Sequence, residues 1–478
     1  MEELKMYIDG KWVDCSNAKK IHVFDPSTGK MMATIPRGVK EDVDAAVNAA
    51  RKVFESERWR KIKPFERGRI LYSVAEKLQN NRDRLARLES KDVGKPLTQG
   101  YADIDAAIRY FEFYGGAADK VMGDTIPVED GLIDYVTREP IGVTAHIIPW
   151  NYPIQILSRS VAAAIATGNT VVVKSAEDTP MTACKMAEYF DQLHLPPGVF
   201  NHVTGYGTEA GASLSSHPGI NHLTFTGSVA TGITVSKAAN ENVVPTTLEL
   251  GGKSPNIVFG DCDLEKAVDG VVKAIIQNAG QTCSAGSRLL VEESFKEEFL
   301  KHVVNRFKQL SIGSALEDKD IGPILNRRQY DRIINYLELA KKEGEIVVGG
   351  KSANVEGGGL YLEPTIIDGV SPNSRLAQEE IFGPVLTVFS FKDTEEALQL
   401  ANGTDYGLVA GIWTETISRV HYLASKIEAG QIFVNNYGAG GGIQMPFGGY
   451  KKSGFGREKG FIALYNYTKV KNVAIKYD

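Results

Sequence analysis

Cys283 sits in NAGQTCSAGSR, among glycine, alanine, serine and side-chain amides, with hardly any bulk available to bury a thiol. Free cysteines commonly serve as small buried hydrophobes. Here the small neighbours also leave room for a substrate to reach sulfur, so a nucleophile stands beside the structural reading. LELGGKSPN puts Glu249 at the end of an apolar run with two glycines behind it. A carboxyl emerging there either has a raised pKa that suits a general base or is a surface glutamate. In PWNYP, Asn151 lies between two prolines that pin the loop. Its carboxamide is then a fixed donor for a developing oxyanion, or a structural turn asparagine.

Two further segments offer anion and ribose chemistry. LTFTGSVATG runs a strand into Gly227 and Gly232 at the mouth of a helix, where backbone N–H groups can approach a pyrophosphate. The spacing is not GxGxxG, and Ile233 and Thr234 stand where a P-loop needs Lys and Ser or Thr, so a tight turn remains an equal reading. VVVKSAED sets Glu177 just past a strand end, a place for a ribose hydroxyl that favours NAD over NADP because a 2′-phosphate would meet a like charge. Lys174 at that strand end is a candidate for the adenosine side, or a solvated lysine. None of these segments contains a histidine, which removes the local partner of a Cys-His hydrolase.

Such groups need a scaffold, and the chain alternates strand and helix from about residue 141. VTAHII, NTVVVK, VFNHVTG, NHLTFTG and VPTTLEL read as strands, and SRSVAAAIATG and TPMTACKMAEYFDQL as helices. That alternation predicts a doubly wound parallel sheet over 141–250. Residues 40–118 read as amphipathic helices, with FERGRILYSVAEKLQNNRDRLARLESKDVG as one long stretch. Residues 251–440 repeat the alternation and predict a second lobe, with Cys283 where a helix ends and a strand begins. LIDYVTREP and KVKNVAIKYD are lone strands whose edges need covering, by another subunit for example.

The bounds agree. A chain of 478 residues is too long for one core, and 43% apolar with 24% charged residues is an ordinary globular balance. A net charge of −5 argues against nucleic acid as the main partner, and no run is apolar enough for a signal peptide or a membrane span. Four scattered cysteines form neither a disulfide framework nor a metal site. A cytoplasmic enzyme is expected, with no metal, membrane or nucleic-acid partner.

Taken together, PWNYP, VVVKSAED, FTGSVATG, LELGGKSPN, NAGQTCSAGSR, EEIFGPV and MPFGGYKKSGFGRE resemble, in order and spacing, the aldehyde dehydrogenase superfamily across essentially the whole chain. The nearest type is the non-acylating betaine-aldehyde and aromatic-aldehyde members. The resemblance implies an α/β fold with a Rossmann-type parallel sheet in a NAD-binding domain (1–120 and 140–250). It implies an α/β catalytic domain (251–450) and a small β oligomerisation arm (121–139 and 463–478) serving a homodimer or homotetramer. It makes Cys283 the nucleophile, Glu249 the base that activates water, and Asn151 with the Cys283 N–H the oxyanion hole. Trp150, Lys174, Glu177, Gly207, Gly227, Ser228, Gly232, Glu380 and Phe382 become coenzyme residues. The implied reaction is NAD-dependent oxidation of an aldehyde to the acid through a thiohemiacetal and a thioester. The rivals are a CoA-acylating relative and a catalytically silent member acting as a binding protein.

Tyr152, Ile156, Arg159, Thr282, Ser284 and Phe447 are candidates for the substrate tunnel by their place in these motifs. GAGGGIQ at 438–444 has glycine where many relatives carry an aromatic wall, which implies a wide pocket for bulky or aromatic aldehydes. Arg159 matches a carboxylate-binding arginine of succinic semialdehyde dehydrogenases, but Gln277 stands where those enzymes carry a second arginine. A structural role is the favoured reading of Arg159.

Overall fold

The protein is described by a computed structural model covering residues 2–438 and 442–477. Strands Val143–Ile147, Thr170–Lys174, Phe200–Val203, His222–Thr226 and Thr246–Glu249 form the parallel centre of an eight-stranded sheet. All five are buried along their length except at Thr246, as expected of runs such as TVVVK covered on both faces. After Phe200–Val203 the chain crosses back to lay His222–Thr226 on the other side of Val143–Ile147. The crevice at that topological switch, beyond the carboxyl ends of these two strands, is where open α/β sheets bind ligands.

The edges were not anticipated. Met6–Ile8 and Lys11–Val13 close one side antiparallel, and Gly454–Phe455 closes the other against Thr246–Glu249. The last pairing brings the carboxyl-terminal motif beside Glu249, which aligns with Gly454.

Helix Lys40–Glu55 buries Val43, Ala46, Val47 and Ala50, spaced for one helical face, in the core beneath the sheet. Its Asp42 carboxylate accepts from the Val39 N–H at 2.9 Å and so caps its own helix. Helices Pro153–Ala166 and Met181–Asp191 lie in a second core, which Pro64–Asn80 and Leu97–Ala117 also enter. The long stretch from Phe65 to Gly94 is two helices, not one. Asn81 leaves helical geometry between Pro64–Asn80 and Arg82–Val93, which lets the chain turn around the sheet.

A second, seven-stranded sheet contains six parallel strands, with Pro255–Val258 between Arg288–Glu292 and Val409–Trp413. Because Pro255 aligns with Arg288, the segments entering these two strands arrive side by side. One carries Glu249 and the other Cys283.

LIDYVTREP and the final strand pair with each other within one chain, Leu132–Pro140 against Thr468–Lys476 along their full lengths, with Asp124–Ile126 on the far side of Leu132–Pro140. Ile133, Val470 and Ile475 remain exposed on this small sheet.

Candidate active site

Cys283 follows a sharply bent segment. Asn278 and Ala279 both take left-handed backbone (φ 49° and 53°), and Gly280 at φ 72° ends the bend. A methyl on Gly280 would lie 2.1 Å from the Gly383 carbonyl, so the bend and the EEIFGPV loop touch only because this residue is glycine. Gly252 plays the same part for Glu249's loop, since a methyl there would meet the Cys283 carbonyl at 2.4 Å.

One crevice of about 380 Å³ unites most of the expected residues. Cys283, Glu249 and Asn151 line it, together with Trp150, Lys174, Glu177, Gly227, Ser228, Glu380 and Phe382. Gly207 lies in an adjoining cavity of about 1170 Å³ that shares Ile147, Glu177, Phe225, Thr231 and Arg328 with the first. Gly232 lines neither; a methyl there would strike Leu250 at 2.5 Å, so this glycine seats the helix against the strand end.

The electrostatics favour neutral forms around sulfur. Glu249 is buried, and neither of its carboxylate oxygens has a partner among the described residues. Burial first, and then the nearby Glu458 carboxylate, hold it well above the ordinary carboxylate range. Burial pushes the Cys283 thiol up to about 12, with Glu380 adding to the shift and Arg159 opposing it. Burial likewise lifts Glu380 to about 7, against the Gly252 N–H that its Oε1 accepts at 3.0 Å. Burial therefore favours the thiol form of Cys283 in the free protein, with the Glu380 and Glu249 carboxyls nearby.

Asn151 is fixed from both ends. Its Nδ2 donates to the Gln281 carbonyl at 3.0 Å, leaving the second N–H of the carboxamide for another acceptor. Trp150 and Phe382 meet edge to face with centroids 5.2 Å apart, forming an aromatic wall. Lys174 Nζ lies 2.9 Å from Glu177 Oε2. Burial pulls the Glu177 carboxyl upward, but Lys174 and the Gly207 N–H outweigh it and leave it below its usual value, a fixed negative charge. Ser228 caps helix Val229–Asn240, accepting from the Thr231 N–H at 3.3 Å.

This chain matches the model of the aldehyde dehydrogenase family over residues 12–473. It belongs to the aldehyde dehydrogenase family. Rat retinaldehyde dehydrogenase 3 is 41% identical over 478 residues, covering 99% of this chain and 93% of the relative. An aldehyde dehydrogenase from Bacillus cereus solved as its NAD+ complex superposes with a TM-score of 0.97 at 39% identity, covering 100% and 97%. Betaine aldehyde dehydrogenase from Staphylococcus aureus in complex with NAD+ gives 0.97 at 37% identity, covering 99% and 95%. The chain is an oxidoreductase acting on aldehydes, and its coenzyme is a nicotinamide dinucleotide. This crevice suits that coenzyme: it opens at the sheet's switch point, a helix N-terminus faces it, and a charged carboxylate stands at its rim.

The six residues expected on the substrate side of this aldehyde dehydrogenase line neither cavity and are all buried. Phe447 packs with Leu408, Val409 and Phe433, with Cys283 and Tyr437 against that cluster. Thr282 and Ser284 share a hydroxyl contact at 3.2 Å. Arg159 pairs with Glu458, and its guanidinium lies 5.4 Å from the Phe447 ring. Residues 439–441 of the glycine-rich segment, on which the expected wide pocket rests, lie outside the described residues.

Two partners escaped the sequence reading. Glu458 ends a quoted motif, yet nothing local marks it as the buried mate of Arg159. Lys95 reads as one more charge after an amphipathic helix, but it is fully buried.

Proposed function

We propose that this enzyme oxidises an aldehyde to its carboxylic acid with NAD+ through a covalent intermediate on Cys283. The observation that carries this is Glu249: a buried carboxyl with both oxygens unpartnered among the described residues, lining the same crevice as the thiol. Lys174 and Glu177 would hold the adenosine ribose, the helix N-terminus at Ser228 the pyrophosphate, and Glu380 the nicotinamide ribose beside Trp150 and Phe382. Bound there, NAD+ accepts the hydride that the oxidation releases.

The chain's own residues do the rest. Cys283 loses its proton to a neighbouring carboxylate as sulfur adds to the aldehyde carbon. The free N–H of the Asn151 carboxamide and the Cys283 main-chain N–H receive the oxyanion, an effect of roughly a hundred- to a thousand-fold in rate. After oxidation the acyl group stays on sulfur as a thioester. Glu249 then takes a proton from water, the hydroxide adds to the thioester, and Cys283 leaves as the acid forms. A carboxylate poised to activate water favours hydrolysis over acyl transfer to CoA. Glu177 favours NAD+ over NADP+ because a 2′-phosphate would face its charge.

We also divide the chain as read above, with a NAD-binding domain over 1–120 and 140–250, a catalytic domain over 251–450 and an arm over 121–139 and 463–478. Exposed Ile133, Val470 and Ile475 support a homodimer or homotetramer formed through the arm. A cytoplasmic location accords with the finding that no helix among the described residues is long and apolar enough to cross a membrane.

NADH formation from an aldehyde panel, with and without CoA and with NAD+ against NADP+, tests the reading. Turnover without CoA and a higher kcat/KM for NAD+ are expected, and strict dependence on CoA would overturn it. Cys283→Ala should abolish turnover while NAD+ still binds.

A further inference from the structure

We propose that Lys95 is a positioning residue for this oxidation: its buried ammonium grips the main-chain carbonyl of Asn151 and so aims the oxyanion-binding carboxamide. The inference rests on the role given to Asn151 above.

Asn151 lies in the loop between strand Val143–Ile147 and helix Pro153–Ala166. Its own carbonyl is held instead by side chains. Lys95 Nζ donates to it at 2.9 Å and Asn278 Nδ2 at 3.2 Å. Lys95 reaches that point from a tight turn: Gly94, at φ 89°, ends helix Arg82–Val93, and Pro96 precedes helix Leu97–Ala117. Pro96 restricts the backbone of the lysine before it, and the lysine side chain is fully buried.

The ammonium has a complete set of neighbours. Besides the Asn151 carbonyl it bonds Asp103, lies 3.8 Å from Glu89 and sits 4.1 Å from the centre of the Tyr152 ring. It thus touches two consecutive residues of the active loop. Two carboxylates around one ammonium is an excess of negative charge, and burial pushes the Glu89 carboxyl up to about 7. Burial raises the Asp103 carboxyl as well, against the Lys95 ammonium it bonds, and the Thr182 hydroxyl donates to Glu89 Oε2 at 2.6 Å.

The same helix reaches the other half of the centre. Gln99 Oε1 accepts from the Asn278 N–H at 2.8 Å, and Asn278 is one of the two left-handed residues leading to Cys283. Asn278 Nδ2 bridges the carbonyls of Asn151 and Gln281, and Gln281 receives the Asn151 carboxamide. Lys95 and Gln99 thus tie the oxyanion donor and the nucleophile segment to one rigid support. A buried ion pair is a poor way to gain stability, since apolar side chains of similar volume often serve as well or better. Fixing a donor to within about 0.5 Å is a task for which it is suited.

The test is a double-mutant cycle on the full-length enzyme, reading the rate constant of the NADH burst, the NAD+ dissociation constant and the melting temperature. Lys95→Met should slow the burst about 10- to 100-fold, the scale of an ångström-sized misplacement, with NAD+ affinity within about twofold of the parent. In an Asn151→Ala background the same change should slow it less than about threefold further, because the carboxamide that Lys95 aims is gone while the carbonyl it grips remains. Equal slowing in both backgrounds, or an effect on melting alone, overturns the proposal. If Lys95→Met does not fold, Asp103→Asn takes its place in the same cycle, with a smaller slowing expected and the same criterion. An Asn151→Ala enzyme with an unchanged burst would instead overturn the oxyanion role itself and this inference with it.

Discussion

Glu249 and Cys283 work against an environment that favours their protonated forms, and that sets how rate depends on pH. In the proposed mechanism Glu249 must be ionised to draw a proton from water, and burial and Glu458 both raise the pH at which it ionises. Steady-state turnover should therefore rise with pH through a limb above the ordinary glutamate value of about 4.3. Glu458→Gln removes a like charge and leaves the Arg159 cation unopposed, so that limb should move to lower pH. Glu249→Gln should keep a burst of NADH while slowing later turnover by about 10²- to 10⁴-fold. Stopped-flow absorbance separates the two phases, and a lost burst with unchanged steady-state sensitivity would refute hydrolysis as this residue's step.

The central strands carry three buried histidines, His146, His202 and His222. His146 is held neutral to about pH 3 by burial with His222 adding, His202 to about 4 by burial with Lys174 adding, and His222 to about 4 by burial. Below the unfolded histidine value of about 6.5 the unfolded chain binds protons that the folded strands refuse, so stability falls as pH falls. The melting temperature should drop by several degrees between about pH 7 and pH 5, and His146→Gln should flatten that slope. His146 and His222 also flank the Tyr467 ring, at 5.9 and 5.1 Å between centroids, just before the arm strand begins. The helices pose a different problem. The amphipathic pattern from Phe65 to Gly94 marked helix throughout, but the break at Asn81 and the inward turn at Lys95 depend on contacts from elsewhere in the chain.

Across the whole molecule, two parallel sheets meet so that the carboxyl ends of one and the amino ends of the other bound a single crevice. On the small sheet of the proposed arm Ile133 and Ile475 are exposed as a cross-strand pair on one face and Val470 is exposed on the other. Replacing Val470 and Ile475 together with Asp should reduce the proposed assembly to single chains in sedimentation velocity, while the Leu132–Pro140 pairing within each chain persists. An unchanged sedimentation coefficient would assign assembly to another surface.

By itself the sequence determined the alternating α/β architecture and the family, and it singled out the side chains proposed to react. Those depend on periodicity and on compact motifs in which chemistry and backbone geometry lie within a few residues of one another. Only the tertiary structure decided which charges meet. Arg159 finds Glu458 and Lys95 finds Asn151 across long stretches of chain, and Gly454 borders Glu249 through an added strand. The reason is that a buried charge is tolerated only beside a partner, and folding rather than local sequence supplies that partner.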